Sequence, residues 1–380
     1  MPESVLEAYT AALRTLGNPA STHAHGQRAS DQLEAARERI AQALGCDPAE
    51  VILTSGGTES INLALKGIYW ARRRSGAGPV VMIAAGEHHA TLEAAEWLAE
   101  SQGATLRILP IDAQGILHPE TLARALEDEG AAQVALVSFL VANNEVGSIQ
   151  PVAALARVAA EAGVPVHVDA VSALGQTEID FRSAGVAAMS VSAHKIGGPV
   201  GVGALVLGRG TSADPILHGG SQQRARSGTQ NVAGAVGFAA ALELCEQPGH
   251  TAAIAELVAR RDRLIQGVRE IAPDAILRGA SPTTAGMRLP GNAHFTFPGC
   301  QGDSLVFLLD AAGVSVSVGS ACQAGVAETS HVLLAMGVPE AEAVGALRFT
   351  LSTATTDAEV DALLAALPAA RDRARAAGLV

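Results

Sequence analysis

Short apolar runs alternate with amphipathic helical segments along most of the chain, and this alternation limits the folds open to it. We predict helices at 28–45, 90–101, 119–128 and 151–162. We predict strands at 51–54, 80–84, 105–109, 133–139, 164–168, 187–192 and 203–207. Strands that alternate with helices predict an α/β layer structure with a largely parallel sheet.

A break containing Pro and Gly at 246–250 ends this pattern. Beyond it the predicted helices lie at 252–271, 302–311, 328–336 and 357–376, and the predicted strands at 293–297, 314–317 and 346–351. This mixed order indicates a second, smaller α+β domain. We therefore assign 15–250 to a large domain, and 1–14 with 251–380 to a small one.

The composition excludes several classes of protein. With 48% hydrophobic and 17% charged residues in 380, the chain can bury a large core and is not disordered. Its net charge of −12 argues against direct nucleic-acid binding, which needs a basic surface. The sequence shows no signal peptide and no apolar run of membrane-spanning length, and its four cysteines are too sparse for a disulfide scaffold. We expect a cytoplasmic protein.

A Gly-rich turn, Ser-Gly-Gly-Thr at 55–58, follows the first predicted strand and opens a helix. Free amides and the helix dipole favour phosphate at such a place, and glycines let the backbone approach it. The turn has neither the Walker ending nor the dinucleotide spacing. An ordinary capped turn would use the same residues, so both interpretations stay open at this point.

Asp169 ends one predicted strand and Lys195 directly follows another. Ligands bind at the strand ends of open α/β sheets. A Lys placed beside Ser192 and His194 and before glycines suits a Schiff-base lysine. A buried carboxylate at Asp169 needs a cation such as a protonated ring nitrogen, and the pair fits the pyridoxal-phosphate pattern. The alternatives are an Asp that caps a loop and a Lys without a function.

Two further side chains are candidates for chemistry. His88 follows a predicted strand and could stack on a flat cofactor and shuttle protons. Its neighbour is also a His, but no ligand spacing supports a metal site, and we expect no metal. Cys322 lies in a loop of small residues, where an exposed thiol is a good nucleophile candidate. For the other cysteines, Cys46, Cys245 and Cys300, we expect either packing or an inert place in a loop.

Eight short motifs in order resemble the cysteine desulfurases, the class V branch of fold type I pyridoxal-phosphate enzymes. They are TSGGTES at 54–60, EH at 87–88, NNEVG at 143–147, HVD at 167–169, SAHK at 192–195, RSGT at 226–229, GSAC at 319–322 and LRF at 347–349. Each motif alone is weak, but eight in order over almost the whole chain are specific. The resemblance implies a mostly parallel seven-stranded sheet between helices in the large domain, and a smaller α+β domain that carries the Cys322 loop.

The resemblance also implies residue roles. Pyridoxal 5'-phosphate is expected as an internal aldimine on Lys195, with Asp169 at its ring nitrogen and His88 stacked on its ring. The other implied cofactor contacts are Gly57, Thr58, Asn144, Ser172, Ser192, His194 and Thr229. Since the family delivers the contact of Thr229 from a second subunit, a homodimer is implied.

The implied reaction converts L-cysteine to L-alanine. Arg348 is expected to clamp the substrate carboxylate, with Asn144 nearby, because Arg binds carboxylates through two parallel hydrogen bonds. Freed Lys195 is a candidate base for the α-proton, and Cys322 takes the sulfur as a persulfide. The spacing from Cys322 to 331–337 resembles the long-loop branch, whose sulfur acceptors are iron–sulfur scaffolds and tRNA-thiolation enzymes.

The chain departs from the family at two places. Ser172 stands where the family usually has a Gln that bonds the ring hydroxyl. The family also begins with a strand ahead of the helix that starts here near Glu3, so we expect either a missing strand or a misassigned start. Rival interpretations are a selenocysteine lyase, a cysteine-sulfinate desulfinase, a class V aminotransferase, which would not need Cys322, and a non-catalytic scaffold homologue.

Overall fold

The computed structural model describes residues 1–220, 222–319 and 329–376 of the chain. These residues form two compact units. The first unit comprises the described residues of 1–109, 118–141 and 151–247, and the second comprises those of 110–117, 142–150 and 248–376. The prediction placed 1–14 with the small domain, but in the structure this segment belongs to the first unit, where its helix packs against a later one.

The first unit contains eight helices among the described residues: α1 (Glu3–Leu13), α2 (Ala24–Leu44), α3 (Gly57–Arg74), α4 (His89–Gln102), α5 (Pro119–Glu129), α6 (Val152–Glu161), α7 (Phe181–Ala184) and α8 (Val232–Glu246). Its strands are β1 (Val51–Thr54), β2 (Val80–Ala84), β3 (Thr105–Leu109), β4 (Val134–Leu140), β5 (Val166–Asp169), β6 (Ala188–Ser192) and β7 (Gly203–Leu207). The predicted alternation is confirmed, and the observed ends of the elements differ from the predicted ones by a few residues.

The seven strands form one sheet in the order β1-β7-β6-β5-β4-β2-β3. The pairs from β6 to β3 are parallel, whereas β7 is antiparallel to both of its neighbours. Every residue of β2, β4, β5, β6 and β7 is buried. Because successive side chains of a strand face opposite sides, both faces of the central sheet are covered. The prediction of a mostly parallel seven-stranded sheet is confirmed.

The core of this unit explains why α3 and α4 form where they do. Apolar residues recur at helical spacing on α3, and Ile61, Leu65 and Ile68 are almost fully buried. They belong to one cluster with sheet residues such as Val81 and Leu205. The helix therefore lies fixed against the sheet, with its first turn at the end of β1.

The second unit contains α9 (Pro248–Ile271), α10 (Gly302–Asp310), α11 (His331–Ala335), α12 (Glu340–Ala343) and α13 (Asp357–Ala376). Its strands β8 (Ile276–Arg278), β9 (Asn292–Thr296) and β10 (Ala346–Thr350) form an antiparallel sheet in the order β10-β9-β8. Phe295, Phe297 and Phe349 pack together in its core. The predicted strand at 314–317 is wrong, because only Ser317 makes an isolated bridge there, and the three-residue β8 was missed.

No helix among the described residues is both long enough and apolar enough to cross a membrane.

Candidate active site

The Gly-rich turn lies where the sequence places it, between β1 and α3. Gly56 precedes the helix with φ 150° and ψ −174°, a backbone conformation that is essentially restricted to glycine. No side chain caps the helix, and its first internal hydrogen bond runs from the Ser60 amide to the Gly56 carbonyl. The amides of the preceding first turn, from Gly57 and Thr58 onward, therefore have no acceptor within the helix. Such a turn can receive an anion.

Other loops approach this turn closely. A Cβ on Gly57 would lie 2.7 Å from Cγ2 of Val171, and a Cβ on Gly56 would lie 3.7 Å from Oγ of Ser192. The Ser192 hydroxyl in turn is 2.9 Å from Nδ1 of His194. The predicted phosphate contacts thus lie at the ends of two strands, with Gly57 and Thr58 after β1 and with Ser192 and His194 at the end of β6. Glycine at 57 is needed because the loop after β5 occupies the space of a side chain.

Asp169 is the last residue of β5 and is only 3% exposed. The amide of Val171 donates to Oδ1 of Asp169 at 2.9 Å. Burial raises the pKa of this carboxyl to about 6, against the opposing effects of that amide and of the positive charge of Lys195. A buried carboxylate whose pKa is raised by burial is stabilised by a nearby cation. Asp169 is therefore suited to be the partner of a protonated ring nitrogen.

A buried hydrogen-bonded chain lies in the strands behind Asp169. His167, two residues earlier on β5, has Nδ1 2.8 Å from Oγ of Ser138 on β4 and Nε2 2.8 Å from Oγ of Ser190 on β6. Burial lowers the pKa of His167 to about 3, so the ring is neutral. His167 belongs to the HVD motif, but no role was predicted for it from the sequence. The alternation of side chains along a strand, which puts residues 167 and 169 on one face, was the available signal.

Lys195 lies in a short 3-10 turn, Ala193–Ile196, immediately after β6, and it is exposed. The whole sequence contains only two lysines, and the other is Lys66. The Lys66 ammonium lies 4.1 Å from the centre of the Trp97 ring, an arrangement that holds it by a cation–π interaction. Lys195 is therefore the better placed of the two amines for a covalent link to a cofactor.

His88 is the N-cap residue of α4, where its Nδ1 accepts a hydrogen bond from the Ala90 amide at 3.0 Å. This bond fixes the ring direction, and it requires an unprotonated Nδ1. The ring is exposed, while the adjacent Glu87 is buried and receives the amide of Leu140 on its Oε1 at 2.9 Å. Burial and the nearby Asp169 raise the pKa of Glu87 well above its ordinary value.

The two remaining cofactor candidates of this unit occupy loops. Ser172 is half-buried in the loop after β5, and its carbonyl accepts a long hydrogen bond of 3.5 Å from the Gln176 side chain. Thr229 is exposed in the loop before α8. An exposed threonine is free to meet another molecule, which is compatible with a contact across a subunit interface.

The predicted substrate residues Asn144 and Arg348 lie in the second unit. Nη1 of Arg348 donates to the Asn144 carbonyl at 2.8 Å, and its Nη2 lies 3.4 Å from Oγ of Ser317. On the neighbouring strand, the fully buried His294 stands in register opposite Arg348. Burial and the nearby arginines lower the pKa of His294 to about 3. Asn144 and Arg348 therefore form one local arrangement, with a neutral imidazole beside the guanidinium.

Cys322 lies outside the described residues. The three described cysteines are free thiols, and burial raises the pKa of each. For Cys46 the value is about 12. Since the thiolate is the nucleophile, these surroundings disfavour nucleophilic chemistry at Cys46, Cys245 and Cys300. Among the described residues, no cluster of three or more His, Cys, Asp or Glu side chains could hold a metal ion.

Residues 1–363 match the protein family described as "Aminotransferase class-V". The chain is 50% identical to the IscS-like cysteine desulfurase of Mycobacterium tuberculosis, over 100% of this chain and 95% of the relative. It is 41% identical to the cysteine desulfurase IscS of Methanosarcina thermophila, over 93% of this chain and 84% of the relative.

A solved structure of a NifS-like protein superimposes with a TM-score of 0.87 at 34% sequence identity, and it covers 97% of this chain and 95% of its own. The match to the family extends over nearly the whole chain, and the relatives align over almost their full length. The chain therefore belongs to the class-V aminotransferase family and, within it, to the cysteine desulfurases.

Proposed function

We propose that this protein is a pyridoxal-phosphate-dependent cysteine desulfurase that converts L-cysteine to L-alanine and passes the sulfur to Cys322. The observation that carries the proposal is the arrangement at the strand ends of the first unit. There, Lys195, one of only two lysines, follows β6 and acts electrostatically on the buried Asp169 at the end of β5. The uncapped start of α3 supplies an anion site in the same unit.

The residues present fit the cofactor. Its phosphate would take the free amides at the start of α3 together with Ser192 and His194, and the glycine turn leaves no side chain in the way. Asp169 would hold the proton on the ring nitrogen, and Lys195 would carry the cofactor covalently. When bound, pyridoxal phosphate withdraws electrons from the α-carbon of an amino acid.

The protein side chains would supply the remaining steps. Arg348 would bind the substrate carboxylate, and the freed Lys195 amine would take the α-proton. The Cys322 thiolate would attack the substrate sulfur, so that an S–S bond forms as the C–S bond breaks. The electron pair of the broken C–S bond would go to the β-carbon, which would take up the proton that the Cys322 thiol had given up. Protonated Lys195 would return the α-proton, and the product would leave as alanine. The raised pKa of the three described thiols supports Cys322 as the nucleophile.

We further propose a cytoplasmic homodimer in which Thr229 of one subunit meets the cofactor phosphate of the other. The exposure of Thr229 in its loop supports this placement. The relatives named IscS support an acceptor in iron–sulfur cluster assembly or tRNA thiolation, to which the persulfide sulfur of Cys322 would pass.

The test is incubation with pyridoxal phosphate and L-cysteine, with measurement of alanine and sulfide and mass spectrometry of the Cys322 peptide. We expect a mass increase of one sulfur on that peptide. Cys322→Ser should abolish both products, whereas the matched control Cys245→Ser should retain them. Unchanged sulfide release from Cys322→Ser would refute the assigned nucleophile. If alanine forms only from selenocysteine or cysteine sulfinate, the proposal that L-cysteine is the substrate is refuted.

A further inference from the structure

A nearly buried ion pair joins two segments of the first unit that are 167 residues apart in sequence. Nε of Arg226 donates to Oε1 of Glu59 at 2.8 Å, and its Nη2 lies 3.5 Å from Oε2. The Glu59 and Arg226 side chains are 12% and 19% exposed. Glu59 lies in the first turn of α3, and Arg226 lies in the loop before α8.

The Glu59 carboxylate also shapes the Gly-rich turn. Its Oε2 accepts the amide of Ser55 at 2.8 Å, which closes the turn on itself. Hydrogen bonds from Arg226 and Ser55 lower the pKa of Glu59 despite partial burial, so the group is ionised. A negative charge in the first turn of α3 stabilises the empty helix start, but it opposes a phosphate bound there. Arg226 supplies the compensating positive charge.

The loop of Arg226 has a second attachment to the same end of the sheet. Oε1 of Gln223 accepts the Leu53 amide at 3.0 Å, and its Nε2 donates to the Leu53 carbonyl at 2.7 Å. The Gln223 side chain therefore completes the hydrogen bonding of the edge strand β1. The hydrogen bonds of Gln223 and the ion pair of Arg226 thus hold the loop at two points. Thr229 follows three residues after Arg226.

We propose that the Arg226–Glu59 pair is a positioning device for phosphate recognition. It cancels the charge of the carboxylate that shapes the turn, and it fixes the loop that presents Thr229. The proposal rests on the proposed function, since the anion concerned is the phosphate of pyridoxal phosphate. Arg suits this role better than Lys because its planar fork reaches both oxygens of Glu59.

The test compares the binding of pyridoxal phosphate and of pyridoxal, which lacks the phosphate, to the dimeric apoenzyme. Arg226→Gln leaves Glu59 uncompensated, and we expect it to weaken pyridoxal phosphate at least tenfold while the affinity for pyridoxal stays within about twofold. Arg226→Lys keeps the charge but loses the two-point contact with Glu59, so we expect a loss of pyridoxal phosphate affinity smaller than that of Arg226→Gln. Adding Glu59→Gln to Arg226→Gln should restore part of the lost affinity, since the unpaired charge is then gone.

The matched control is Arg39→Gln, which breaks two exposed ion pairs in the same unit, one with Glu243 and one with Glu246, and should change neither affinity. If Arg226→Gln weakens both ligands equally and lowers the melting temperature of the apoenzyme, the pair is only structural and the proposal is overturned. Unchanged binding of both ligands overturns it as well. If the wild-type protein does not bind pyridoxal phosphate, the proposed function itself is refuted. If the wild type binds it but the Arg226 variants lose no preference for pyridoxal phosphate over pyridoxal, only the role of the ion pair is refuted.

Discussion

The charge of Asp169 provides the sharpest test of the proposed cofactor site. We expect Asp169→Asn to fold, because Asn has nearly the same shape and its side-chain oxygen can still accept the Val171 amide. What the variant loses is the negative charge that would hold a proton on the ring nitrogen of the cofactor. The variant therefore separates the electrostatic role of Asp169 from its structural role.

The size of the effect follows from the pKa of this group. Burial raises the pKa of Asp169 from its ordinary value of 3.8 to about 6, and a cation beside the carboxylate has to offset this shift to keep the group ionised. A shift of about two pKa units corresponds to about 3 kcal/mol of mutual stabilisation between carboxylate and cation, or on the order of 100-fold in binding. At about pH 8 the Asp169 carboxyl of the wild type is ionised, so the whole of this stabilisation contributes to cofactor binding.

The assay is titration of the apoenzyme with pyridoxal phosphate at that pH, followed by cofactor absorbance. We expect the dissociation constant to rise on the order of 100-fold in Asp169→Asn. Glu87→Gln is the matched control, because Glu87 is also buried but its raised pKa favours the neutral acid, which Gln imitates. Its dissociation constant should stay within about threefold of the wild-type value. Equal losses in the two variants, or no loss in Asp169→Asn, would refute the reasoning.

Three further predictions concern other residues. Borohydride reduction of the cofactor-loaded protein should label the peptide of Lys195 and not that of Lys66, so Lys66→Arg should retain the label and Lys195→Arg should lose it, as mass spectrometry can show. His167 and His294 have folded pKa values of about 3, below the ordinary 6.5, so their contribution to stability is present above pH 6.5 and is lost as the pH falls toward 3. At about pH 5, each of the two histidines should have lost about 2 kcal/mol of its contribution to the free energy of unfolding. His294→Asn should therefore show a shallower pH dependence of the free energy of unfolding than the wild type. A slope equal to that of the wild type would contradict the assignment. Arg348→Lys should raise KM for L-cysteine roughly tenfold or more with a smaller change in kcat, and unchanged steady-state kinetics would exclude Arg348 as the carboxylate clamp.

The failures of the sequence prediction have identifiable causes. The run at 314–317 has strand-like residues, but only Ser317 makes a bridge, to Arg348, so pairing and not propensity decided the outcome. The strand β8 has three residues, too few for a periodic signal, and its pairing with β9 defines it. Residues 1–14 joined the first unit because α1 packs against α8, a long-range contact that no local pattern reveals.

The sequence alone determined the α/β alternation, the family and the identity of the candidate site residues, because these depend on local periodicity and on motifs of adjacent residues. Only the tertiary structure decided which side chains share an environment. It buries Asp169 within the electrostatic influence of Lys195 and pairs Glu59 with Arg226. The burial of a side chain and the charge around it depend on neighbours that come from distant parts of the chain. The pKa of a carboxyl and the compensation of its charge therefore follow from those neighbours and not from the residue type alone.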